Sequence, residues 1–198
     1  LDLKNKNYIE SVKKFNLAIK FSKHFFQAYY NLAIAQSYLG KLIDAKKSYL
    51  EAIKINKNYR QAYNNLGSIL IKTKNLNEAI NVLESAIKIK PDYLEALINL
   101  GVANLELKKY EIALKYFNRA LATDPMNVKA ISQKLYLMRK ICDWSEDDLL
   151  EKNLHIINES KIDVTPWQLL SLDDDPKIEL IRAKKYGNQF CFKKQRGY

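Results

Sequence analysis

Residues 60–89 read RQAYNNLGSILIKTKNLNEAINVLESAIKI, and this stretch decides the fold. From Arg60 to Thr73, Tyr63, Leu66, Gly67 and Leu70 fall at i, i+3, i+4 and i+7, a single apolar stripe at helical spacing. A second amphipathic run, Asn77–Ile89, follows after a short polar break. The small residues Gly67, Ala79 and Ala86 allow two antiparallel helices to approach closely, and Leu83 is placed to fill the space between neighbouring pairs. One such pair cannot bury its own apolar face, so further copies must stack on it, and about three are needed for stability.

Working outward, the copies are present. Asn31-Leu32-Ala33, Asn65-Leu66-Gly67 and Asn99-Leu100-Gly101 are separated by 65 − 31 = 34 and 99 − 65 = 34 residues. Ala45, Ala79 and Ala113 keep the same interval, as do Ala52, Ala86 and Ala120. Tyr49, Leu83 and Phe117 supply a large apolar residue in phase, and Pro91 and Pro125 close two of the units. The spacing is identified as the tetratricopeptide pattern. Full units are expected at Phe26–Tyr59, Arg60–Tyr93 and Leu94–Asn127. Tyr8, Ser11, Phe15 and Ala18 match the second helix of an earlier half unit in 1–25, so the chain is expected to be cut at its N-terminus. The expected fold is all-α: a right-handed tetratricopeptide-repeat solenoid with capping helices over 128–186, the first of them Val128–Ile141, and a basic tail over 187–198.

Composition agrees with helices. Five Gly and four Pro are too few for a turn-rich β protein. There is no apolar run near the ~20 residues of a membrane span. Two cysteines, Cys142 and Cys191, are too few for a disulfide framework, which points to a reducing, cytoplasmic setting. The net charge of +11 invites a nucleic-acid reading, but 28 of the 33 basic residues are Lys, scattered along the chain rather than gathered. Recognition of phosphate and base edges favours the planar fork of Arg. The lysines therefore read as a solvated surface, and no nucleic-acid or membrane partner is expected. Six of the 13 tyrosines (Tyr8, Tyr29, Tyr49, Tyr63, Tyr110 and Tyr116) fall at or beside packing positions. His24 and His155 are far apart in the sequence, and no metal or catalytic role is assigned to them. No Gly-rich phosphate loop, nucleophile elbow or Cys-x-x-Cys pair occurs. Catalytic residues, metal ligands and cofactors are accordingly expected to be none.

The candidate site is a row of amides. Asn31, Asn65 and Asn99 recur at one position of the first helices, and Gln133 occupies the equivalent place further on. An amide both donates and accepts, so a row of them can pair with the backbone of a protein or peptide in extended conformation. The bland alternative is that the amides bridge adjacent helices. Repeats that clamp the terminal carboxylate of chaperones place Lys and Asn where Tyr30 and Ile34 stand here, and Lys and Arg where Glu95 and Asn99 stand, an argument against that ligand.

Beyond residue 141 the period breaks. Ser145-Glu146-Asp147-Asp148 is a good helix start, and Thr165-Pro166 and Asp175-Pro176 each read as Ncap followed by Pro at N1, the last helix ending near Gly187. Cys142-Asp143-Trp144, together with Trp167-Gln168-Leu169-Leu170-Ser171-Leu172-Asp173-Asp174-Asp175-Pro176, resembles the O-linked N-acetylglucosamine transferase family, particularly its bacterial Spindly-like members. That resemblance implies a substrate-recognition arm and hinge in contact with a downstream two-lobed, UDP-GlcNAc-dependent glycosyltransferase domain. No residue of the catalytic or sugar-nucleotide site falls within this sequence, which ends at Tyr198. The rival reading is a stand-alone scaffold or assembly protein with no enzymatic parent.

Overall fold

The repeating apolar stripes become helices in a computed structural model that describes residues 3–141. They are α1 (Leu3–Phe21), α2 (Phe26–Tyr38), α3 (Leu42–Ile55), α4 (Arg60–Lys72), α5 (Leu76–Ile89), α6 (Leu94–Glu106), α7 (Tyr110–Thr123) and α8 (Val128–Lys140). No strand occurs among the described residues, and no helix there is long and apolar enough to cross a membrane. The helices expected after residue 141, including the Cys142-Asp143-Trp144 segment, lie outside the described residues.

Two kinds of turn alternate, each set by local chemistry. Within a unit the turn needs one residue in the left-handed region: Gly40 (φ 75°), Lys74 (φ 61°) and Lys108 (φ 59°). Glycine is at home there, whereas each lysine carries the steric cost of its Cβ, of order 1–2 kcal/mol. In the first two turns the following amide closes back on the helix, Lys41 N–H to Gln36 O (2.9 Å) and Asn75 N–H to Leu70 O (2.8 Å), as Schellman caps do. Between units the chain instead straightens at Asn56, Lys90 and Asp124, which are extended. Pro91 and Pro125 follow the last two and exclude helical backbone from the residue before them. The sequence placed Thr73 inside α4 and Asn77 at the start of α5. In the structure Thr73 is the C-cap, its hydroxyl bonding back to Ile69 O (3.1 Å), and Asn75 is the N-cap of α5.

None of the N-caps of α2 to α7 makes a side-chain capping bond, so burial rather than capping holds these helices. Helices α1 to α6 form one compact unit, and α7 and α8 belong to a second. In the first unit each helix packs on the next, and α4 also touches α6. Its core is small residues under large ones: Ala33, Ala45, Ala52, Ala62 and Ala79 around Tyr49, Leu66 and Leu70. The tightest point is Gly67, where a Cβ would lie 2.5 Å from Leu83 Cγ. Leu83 is wholly buried in consequence. In the second unit α7 packs on α8, and Ala113, Phe117 and Ala120 are wholly buried, as are Ala130 and Leu137. Of the tyrosines read as packing residues, Tyr49 is buried and Tyr8, Tyr29, Tyr63, Tyr110 and Tyr116 are half-buried.

Helix α1 turns Tyr8, Ser11, Phe15 and Ala18 inward, all half-buried, and stacks Tyr8 flat on Tyr38 of α2 with ring centroids 4.6 Å apart. Two exposed ion pairs, Lys46–Glu78 (2.8 Å) and Lys74–Glu106 (2.7 Å), run from one unit to the next at a common separation of 32 residues. Exposed pairs contribute at most about 1 kcal/mol each, so they assist the stacking without driving it.

The contact at Gly67 generates a test. Gly67→Ala should cost about 1–3 kcal/mol by overpacking, and Leu83→Ala about 3 kcal/mol by leaving a cavity. The double variant should cost clearly less than the sum, because the new methyl enters the space that Leu83 vacates. Urea melts of the four proteins check this, and simple additivity would show that the two residues do not share that space.

Candidate peptide-binding groove

The three first helices α2, α4 and α6 are joined along one line by polar side chains. Asn99 Nδ2 donates to Asn64 Oδ1 (2.9 Å), Asn64 Nδ2 donates to Asn65 Oδ1 (3.2 Å), and Asn65 Nδ2 donates to the Tyr30 hydroxyl (3.1 Å). Both inter-helix bonds span 35 residues, one repeat plus one step. The amide row therefore does two things. Asn99 is 9% exposed and serves mainly as a bridge between α6 and α4. Asn65 is half-buried; its Nδ2 serves the Tyr30 hydroxyl and lies against the Tyr49 hydroxyl, while its Oδ1 keeps one lone pair after accepting from Asn64, so it retains an acceptor for a ligand.

Asn31 on α2 is half-buried, and so is Gln133 on α8, which belongs to the second compact unit. The alternative that the amides bridge adjacent helices describes Asn99, which donates to Asn64 and is covered by neighbouring helices. Asn64 and Tyr30 were missed in the sequence. The available signal was that polar residues hold the position just before Asn31 and Asn65, where they meet the following unit's amide.

Tyr30 is itself held by aromatic contacts. Its ring meets Tyr59 edge-on at 4.8 Å and Tyr49 at 5.8 Å, and Phe26 meets Tyr59 at 5.0 Å. Beside this cluster the Arg60 guanidinium lies over the Tyr93 ring, 5.6 Å from its centroid. Its buried Nε has no hydrogen-bond acceptor, so the ring face is its compensation.

A cavity of about 280 Å³ opens beside Asn65, lined by Ile34, Ser37, Tyr38, Tyr49, Asn65, Ser68, Ile69 and Lys72. Its floor is aliphatic and aromatic, and its walls carry hydroxyls, one amide and one ammonium. Burial pushes the Tyr49 hydroxyl up to about 12, partly opposed by the Asn65 amide and the Ser37 hydroxyl. Burial and the Glu95 charge push Tyr93 to about 12 as well, and burial raises Tyr30 and Tyr59. These phenols are neutral donors at physiological pH. No group of His, Cys, Asp and Glu that could hold a metal occurs among the described residues.

Comparison with known proteins agrees with this geometry. Sequence models of the tetratricopeptide repeat match residues 26–59 and 58–125. No curated protein sequence matches. Among solved structures, MamA from Desulfovibrio magneticus RS-1 is similar with 19% identity and a TM-score of 0.67, over 81% of this chain and 98% of that one. YrrB, described as a repeat protein with an unusual peptide-binding site, aligns at 19% identity and a TM-score of 0.59, over 92% and 85%. The first repeat domain of Spaghetti (RPAP3), bound to the HSP90 peptide SRMEEVD, aligns at 19% and 0.58, over 60% and 94%.

The raised tyrosines give a pH dependence of definite sign. A group with a folded value above its ordinary 10.0 gives stability that is complete below pH 10 and lost as pH rises toward about 12. Urea midpoints should be level approaching pH 10 and fall across pH 10–12. Tyr49→Phe should blunt part of that fall, and an unchanged profile in that variant would remove Tyr49 from the account.

Proposed function

We propose, from the premise that this chain belongs to the tetratricopeptide-repeat proteins, that it is a binding module whose first helices hold a protein segment in extended conformation. The observation that carries the reading is Asn65: tied on one side to Tyr30 and on the other to Asn64, it is fixed in the groove with a spare acceptor that a ligand's backbone N–H can meet. An extended peptide needs that pairing for its backbone, whatever its side chains. Asn31 and Gln133 carry the same amide at equivalent places, and Asn99 contributes chiefly by holding α6 against α4. Peptide binding by YrrB and by the Spaghetti domain supports the reading by analogy of fold.

A more specific version makes this module the substrate-recognition arm of a UDP-GlcNAc-dependent protein glycosyltransferase, cytoplasmic and working beside a downstream catalytic domain. It rests on Cys142-Asp143-Trp144 and the Trp167–Pro176 segment. The scaffold without an enzymatic parent is equally consistent with the repeats. The coding sequence past Tyr198 separates them, a parallel α/β domain favouring the transferase and a stop codon the scaffold.

The groove itself is tested with a peptide selected from a random display library and mapped by amide chemical shifts. Shifts should concentrate on α2, α4 and α6. Asn65→Ala should weaken the peptide by about 0.5–1.5 kcal/mol with little loss of stability, the scale of one neutral hydrogen bond. Asn99→Ala should instead lower stability, because it leaves the buried Asn64 carbonyl without its donor. Peptides that bind only the α3 and α5 side would sink the proposal.

A further inference from the structure

The cavity beside Asn65 has an uneven balance of polar groups. Two donors without a partner line it, the Lys72 ammonium and the Ser68 hydroxyl, while the Tyr49 hydroxyl and the Asn65 amide are engaged with each other and with Ser37 and Tyr30. The Ser37 hydroxyl already gives its hydrogen to Ala33 O (2.7 Å) and offers only lone pairs. No carboxylate lines the space. Of the acids on neighbouring helices, Glu78 is paired with Lys46 and Glu106 with Lys74. Lys72 takes part in no ion pair among the described residues. A cationic, donor-rich wall above an Ile34, Ile69 and Tyr49 floor has an apolar shelf for a side-chain stem and a head-group site that lacks its counter-charge. The rim is rigid, because Tyr38 is stacked flat on Tyr8 from α1.

We infer that this cavity is a specificity pocket for a carboxylate, with Lys72 as the residue that selects it and the apolar floor taking the stem that carries it. The inference rests on the groove reading above and adds the chemistry of the partner: an acidic segment. The carboxylate has two sources, a Glu or Asp side chain within the segment or the free C-terminus of a chain. The aliphatic and aromatic residues beside the Lys72 ammonium favour a side chain, whose stem can lie on them, over a chain terminus.

The probes are short Ala/Ser peptides carrying one central Glu, with both ends blocked. The Gln counterpart and an all-Ala/Ser peptide with a free C-terminal carboxylate complete the set. Affinities are read from chemical-shift titrations of the intact chain. The Glu peptide should bind about tenfold tighter than the Gln peptide, a ratio that corresponds to a single charge-assisted contact. Lys72→Gln should erase that ratio while leaving the Gln peptide unchanged, and added salt should shrink it. Lys72 is exposed, so the variant should melt like the parent. If only the free C-terminal carboxylate gains affinity, the side-chain assignment is overturned. If Glu and Gln peptides bind the groove equally, the pocket inference falls and the groove reading stands. If no peptide perturbs α2 or α4, both fall.

Discussion

Leu83 sits so close over Gly67 that a single methyl group would not fit between them, and the architecture of the first unit depends on that approach. Two helices that meet at such a distance bury the stripe between them but leave their outer flanks apolar. Those flanks are covered by the helices of the next pair, which is why the same small residues recur through Ala33, Ala45, Ala52, Ala62 and Ala79. Each small residue is a place where a neighbour comes near, and each large one fills the angle left beside it. The helices need little else. Their N-caps are unremarkable, and the ion pairs between units are exposed. Close packing sets the position of every first helix, and only then do the polar side chains on those helices fall into line.

That order explains what could be read in the sequence. The 34-residue period, the apolar stripe of Arg60–Thr73 and the close-approach residues are properties of local spacing, and each corresponds to a helix or a buried side chain. The amide row was visible for the same reason. Its division of labour was not. Asn99 and Asn65 occupy the same repeat position, yet one is covered and the other keeps a free carbonyl lone pair. The difference lies in their neighbours, Asn64 for one and Tyr30 for the other, and in a bond that steps one residue beyond the repeat. Lys72 was likewise hidden, one lysine among 28, because what sets it apart is its place beside a cavity, which only the folded arrangement of α2, α3 and α4 creates.

The two readings of the amides, peptide reader and helix bridge, turn out to be roles of different residues in one hydrogen-bonded chain. The bridge at Asn99 and Asn64 fixes Asn65, and the aromatic cluster fixes the Tyr30 hydroxyl that Asn65 donates to. A groove built this way is preorganised: a ligand meets an amide already held in one orientation, and little ordering remains to be done on binding.

Bonds that reach 35 residues forward and ion pairs that reach 32 also bear on how the array comes apart. A repeat array behaves as a line of coupled spins, in which each unit's state is tied to its neighbour's by an interface energy. The amide bridges and the Lys–Glu staples are all interface terms and strengthen that coupling from α2 through α6. These interface terms are individually small, but each is lost when either of the units it joins opens, so opening one unit also loosens the groove residues of its neighbour.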